Sequence, residues 1–153
     1  MQKKILFLEY SFAAGGAQRQ LVNLMNSLDK NDYLVHLALY GSYSNSKKFF
    51  IEDVDPNVVI NNFSNKKEKL DIGLFFKLFI LCLKNRFNLI YCNSWGSNFI
   101  GSLVGYFIRI PVLTTQLGSH NEAFKYMQYY KYLCTGFSPN SIKAKNIMLE
   151  KYK

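Results

Sequence analysis

Lys4-Ile-Leu-Phe-Leu-Glu-Tyr-Ser-Phe-Ala-Ala-Gly15-Gly16-Ala-Gln-Arg-Gln-Leu21 reads as a strand, a tight glycine turn and then an amphipathic helix. Ile5 to Leu8 form the unbroken apolar run that a strand buried on both faces requires. Past the glycines, Ala17, Leu21, Leu24, Met25 and Leu28 fall at helical spacing and make one apolar stripe, with Gln18, Asn23, Asn26 and Ser27 mostly off it. A glycine pair at such a junction lets phosphate approach the unpaired N–H groups of the helix start, where the helix dipole also favours negative charge. The same pair also serves simply to make the turn. On the glycines alone the two readings stand level.

Exclusion narrows the chemistry. The segment has no G-x-G-x-x-G fingerprint and no G-x-x-x-x-G-K-[ST] loop. The second apolar run, Leu34 to Tyr40, ends in Tyr40-Gly41-Ser42, with no carboxylate placed for a ribose hydroxyl. A dinucleotide-binding dehydrogenase and a P-loop NTPase both fit poorly.

A chain of 153 residues makes one domain, with 49% apolar and 19% charged residues, a globular composition. Its net charge of +9 favours anionic partners: nucleotide-sugar phosphates, an anionic membrane or nucleic acid. Apart from Arg19, Arg86 and Arg109 the cations are lysines, which argues against base-specific reading. Nucleic acid ranks last, because no helix-turn-helix, aromatic stacking motif or zinc site accompanies the charge. Cys82, Cys92 and Cys134 sit apart in apolar runs, so buried free thiols and a reducing, cytoplasmic compartment are expected, with no metal site. Glu9 cuts the first apolar stretch too short for a signal peptide, and no run is long enough to span a membrane.

Strand and helix signals alternate along the whole chain. Strands are expected at 5–8, 34–40, 58–60, 89–92, 112–115 and 133–137. Helices are expected after Gly16, over about 73–84 behind an Asp71 cap, over about 98–107, and from Pro139 through Tyr152. The expected fold is α/β: a Rossmann-like, doubly wound, mostly parallel six-stranded sheet with helices on both faces. Ligands of such sheets bind beyond the carboxyl ends of the strands. The loops there read Ser11-Phe-Ala-Ala-Gly-Gly, Asn93-Ser94-Trp95-Gly96-Ser97-Asn98 and Gln116-Leu117-Gly118-Ser119-His120-Asn121, all polar or glycine-bearing, which favours a polar small-molecule site.

The chain resembles the N-terminal domain of a GT-B glycosyltransferase of the family 4 type. The resemblance rests on Gly15-Gly16-Ala17-Gln18-Arg19, on Asn88 to Ser97, on Ile110 to Gly118, and on Gly136-Phe-Ser-Pro-Asn-Ser141 before a lysine-bearing helix. It covers essentially all of residues 1–153, and the glycine motif is its most specific part. It implies a retaining sugar transfer from a nucleotide sugar, the substrate, with no separate cofactor. The acceptor, a glycan or lipid-linked molecule of cell-surface polysaccharide synthesis, is held mainly by this domain. In that picture Gly15, Gly16 and Ala17 face the donor phosphates. Asn93, Ser94, Gln116, Gly118 and Ser119 line the acceptor or sugar, and Trp95 either stacks on a sugar face or packs inside. Members commonly carry histidine where Asn93 and Leu117 stand, so His120, three positions on, is the candidate catalytic group. The C-terminal donor-binding domain of these enzymes is expected to come from elsewhere, as a domain or separate subunit. A non-catalytic partner protein that keeps the fold alone is the alternative.

Residues 70–84 are apolar almost all round as a helix, which suits either burial against a partner domain or contact with a lipid-linked acceptor at an anionic membrane. Lys66, Lys67, Lys69 and Lys77 are the expected membrane-facing cations, placing the chain at the inner face of the cell membrane when bound.

Overall fold

The computed structural model describes residues 1–12, 15–41, 50–63, 72–116 and 127–151. Six strands form one sheet: β1 (Lys3–Glu9), β2 (Tyr33–Leu39), β3 (Val59–Asn62), β4 (Leu89–Cys92), β5 (Val112–Gln116) and β6 (Gly136–Pro139). Among the described residues four helices accompany them: α1 (Gly16–Ser27), α2 (Ile72–Asn85), α3 (Trp95–Ile108) and α4 (Ile142–Lys151). The strand order is β3-β2-β1-β4-β5-β6 and every pairing is parallel. This is the Rossmann-like α/β sheet expected from the sequence. The order reverses between β1 and β4, so the crevice between their carboxyl ends is the switch point.

Alternation along the central strands feeds two cores. Ile5 and Phe7 of β1 join Val35, Leu37 and Leu39 of β2 on the face covered by α1. Leu6 and Leu8 point the other way, with Ile90, Cys92 and Val112, under α2 and α3. Within α1 the buried residues are Leu21, Val22 and Met25, while Leu24 faces solvent, a slight rotation from the expected stripe. The three thiols lie around the second core: Cys82 and Cys92 inside it and Cys134 packed against it, all free. Burial pushes the Cys82 thiol up to about 12 and raises those of Cys92 and Cys134.

Three boundaries differ most from expectation. Helix α3 starts at Trp95, three residues early, because Ser94 caps it. The Ser94 side chain accepts from the Ser97 N–H and the Ser97 hydroxyl accepts from the Ser94 N–H. Residues 128–133 form turns, closed by bonds such as Lys131 N–H to the Met127 carbonyl, so the last strand begins at Gly136 and not Leu133. Pro139 ends that strand opposite Gln116, and Ser141 caps α4 by accepting from the Ala144 N–H. A proline is tolerated there because β6 is an edge strand. The expected Asp71 cap and Tyr152 fall outside the described residues.

Helix α3 approaches the sheet closely through Gly101 and Gly105. A Cβ on Gly101 would overlap the Cys92 sulfur. One on Gly105 would overlap Val112 and lie 2.9 Å from the Ile110 carbonyl oxygen. Gly105→Ala is therefore expected to cost about 1–3 kcal/mol by overpacking. Thermal denaturation checks this, each kcal/mol lowering the midpoint by roughly 2–4 °C at this size.

Candidate functional site

The switch-point crevice is built from the ends of β1 and β4. Their register pairs Leu8 with Cys92, which sets Glu9 and Asn93 side by side. The Asn93 amide donates to Glu9 Oε2 at 2.6 Å and reaches the Ala17 carbonyl at 3.5 Å. The Tyr10 N–H donates to Glu9 Oε1 at 2.7 Å. On the far side the Thr115 hydroxyl donates to the Cys92 carbonyl at 3.0 Å and approaches Asn93 Oδ1 at 3.4 Å. One amide thus ties β1, the first turn of α1, β4 and β5 together.

Glu9 is 1% exposed, and the Asn93 amide and Tyr10 N–H that donate to it are neutral. Burial raises its carboxyl above the ordinary range, against the lowering effect of those donors. Tyr40 lies buried nearby, its phenol pushed up to about 12 by the same loss of solvent. Glu9 is the residue that the sequence reading passed over. A carboxylate closing an apolar strand was the available signal, but its partner lies 84 residues away.

The other end of the site is the start of α1. Gly15 precedes the helix with φ −170°, and no side chain caps the first turn, which carries no acidic residue. Neither Gly15 nor Gly16 has a positive φ, so backbone conformation does not demand glycine at either position. A Cβ on Gly16 would meet nothing within 4 Å, whereas one on Gly15 would meet only the end of the Gln18 side chain. Gly16 is exposed, and among the described residues nothing closes the helix start to an approaching group.

The remaining expected site residues divide sharply. Asn93 is 4% exposed with its amide engaged inside the protein, so it builds the crevice floor and offers little to a ligand. Ser94 is occupied as the α3 cap, its hydroxyl touching that of Ser97. Trp95 is 58% exposed on the first turn of α3 and is not buried in the core. The backbone of Gln116 ends β5, but its side chain, with Leu117, Gly118, Ser119 and His120, lies outside the described residues, as do Lys66, Lys67 and Lys69. Lys77 is exposed on α2. Among the described residues no cluster of His, Cys, Asp or Glu can hold a metal ion, and no helix is long and apolar enough to cross a membrane.

No family model matches the sequence, and no curated protein matches it. Solved structures of GT-B-type enzymes match the fold. Anabaena HepE in complex with UDP-glucose superposes with a TM-score of 0.72 at 18% identity, over 96% of this chain and 40% of its own. The UDP-GlcNAc 2-epimerase of Neisseria meningitidis, bound to UDP-GlcNAc, gives 0.68 at 9% identity over 100% of this chain and 43% of its own. Acinetobacter baumannii MurG gives 0.64 at 12% identity over 92% and 42%. The chain therefore spans about two fifths of each neighbour, and what it shares with them is one half of a GT-B architecture.

The raised Glu9 carboxyl has a signed consequence. The folded protein holds the Glu9 proton more tightly than the unfolded chain, so its contribution is complete below the ordinary value of 4.5 and fades as pH rises through the folded value. In Glu9→Gln, stability measured by urea titration is expected to lose this decline with rising pH, whatever its level at any one pH. An unchanged slope would show Glu9 ionised at no cost.

Proposed function

We propose that this chain is the acceptor-side half of a retaining GT-B glycosyltransferase acting on a nucleotide sugar, in cell-surface polysaccharide synthesis. The observation that carries the reading is the uncapped, unobstructed start of α1 at Gly16, lying beside the switch-point crevice. Two neighbours of this fold were solved with UDP-glucose and UDP-GlcNAc, which supports a sugar-nucleotide diphosphate as the group approaching it. Unpaired N–H groups at a helix start favour departure of a diphosphate leaving group, since they are already oriented where negative charge grows. Trp95 offers a ring face to the acceptor or sugar. The donor nucleotide is held by a second domain or subunit, and the acceptor is a glycan or lipid-linked molecule. Lys77, with Lys66, Lys67 and Lys69, faces an anionic membrane when the acceptor is lipid-linked.

The purified chain by itself is expected to transfer no sugar, and transfer is expected when it is joined to a nucleotide-sugar-binding domain. Radiolabelled transfer assays decide this. Transfer by the isolated chain would overturn the division of labour.

In the joined protein, Gly16→Val is expected to reduce turnover at least a hundredfold while shifting the melting temperature by only a degree or two. The added side chain enters free space in the fold but fills the approach to the helix start. Normal transfer by a folded Gly16→Val protein would reduce the glycine to a piece of turn.

A further inference from the structure

We propose that the cavity at the amino ends of β5 and β6 binds a small soluble anion carrying a ring, with Arg109 taking the charge. The cavity measures about 570 Å³, within the range of small-molecule sites. The end of α3 gives it Tyr106, Phe107 and Arg109, the approach to β5 gives Pro111, and the approach to β6 gives Leu133 and Thr135. It lies on the edge of the sheet opposite the switch-point crevice. Substrates of such sheets sit at the carboxyl ends of the strands, so the sugar-transfer reading makes no use of this edge.

Arg109 decides the charge of the occupant. It caps α3 with φ 58°, its N–H donating to the Gly105 carbonyl. Glycine is the usual residue in such a left-handed cap, because a Cβ is strained there. A lysine near the helix end would answer the dipole without that strain, and lysine is this chain's habitual cation: only Arg19, Arg86 and Arg109 are arginine. What arginine adds is a planar fork that grips phosphate or carboxylate. No aspartate or glutamate lines the cavity, and the one ion pair among the described residues joins Lys30 to Asp55, so Arg109 has no carboxylate partner there. The Thr135 hydroxyl accepts from the Val112 N–H at 3.1 Å and so keeps its own hydrogen to donate to the same anion. The rings of Tyr106 and Phe107, 59% and 62% exposed and edge to face at 5.9 Å, offer a wall for a flat body. A polyanion would need a row of cations, and the lining holds one; the hydroxyls beside the rings suit a soluble polar molecule over a hydrocarbon chain. Arg86 has the same backbone conformation at the end of α2, φ 53°, but does not line this cavity, which makes it the natural control.

The full chain is titrated with phenyl phosphate by isothermal calorimetry. Saturable binding at one site is expected, with phenol and inorganic phosphate each weaker by at least about tenfold, since each carries half of the recognised chemistry. Arg109→Gly is expected to abolish that site while the melting temperature holds or rises, because glycine suits the left-handed cap. Tyr106→Ser, at an exposed position, is expected to weaken binding several-fold. Arg86→Gly, the same change in the same backbone conformation, leaves binding as it was. Absence of binding, affinity retained by Arg109→Gly, equal loss in Arg86→Gly, or an equal response to inorganic phosphate would each overturn the proposal. A melting temperature lowered by Arg109→Gly would make the residue a structural cap and overturn it as well. Sugar transfer by the joined protein is unaffected by either result, because the start of α1 lies at the other edge of the sheet.

Discussion

The Asn93–Glu9 hydrogen bond closes the mouth of the sheet where its strand order reverses. Parallel strands at a switch point diverge into loops that leave in opposite directions, and here the last backbone bond between them runs from the Asn93 N–H to the Leu8 carbonyl at 3.1 Å. Beyond it a single buried amide ties the ends together, reaching a carboxyl, a helical carbonyl and a threonine hydroxyl. Burial makes the arrangement strict. A group at 1% exposure cannot exchange a lost partner for water, so removing Asn93 would leave Glu9 short of its strongest side-chain donor.

That strictness separates scaffold from reactive surface. The polar residues deepest in the crevice are committed to one another, and what faces outward is backbone at Gly16 and the ring of Trp95. A site of this kind recognises an anion through oriented N–H groups and a sugar through a ring face, leaving finer selection to loops and to a second domain. The two faces of α3 divide the same way. Glycines bring its inner side against β4 and β5, while its outer side carries exposed aromatic rings.

The sheet and its six strands were legible in the sequence because short apolar runs separated by polar turns leave few other folds open. The glycine junction was legible for the same local reason. Misplaced boundaries came from polar capping. Ser94 and Ser97 cap each other without the glutamate that usually marks such a box, and the apolar residues near Leu133 belong to turns packed around Tyr130, not to a strand. Glu9 was out of reach because its meaning arises from register, which places residues far apart in sequence at one point. The polarity of Asn93 was read correctly, but polarity alone did not distinguish a residue that serves the ligand from one that serves the fold.

The buried thiols have a consequence for how the molecule meets its chemical surroundings. Cys82 and Cys92 are uncrosslinked and shielded, and burial makes them weaker acids, leaving almost no thiolate at neutral pH, the form that oxidants and disulfides attack. No covalent clip contributes to the stability of the described fold, so a change of redox poise neither strengthens nor loosens it. Alkylation of Cys82 and Cys92 in the native protein would mark opening of the α2–α3 side of the sheet, which makes these two cysteines a clock for local unfolding.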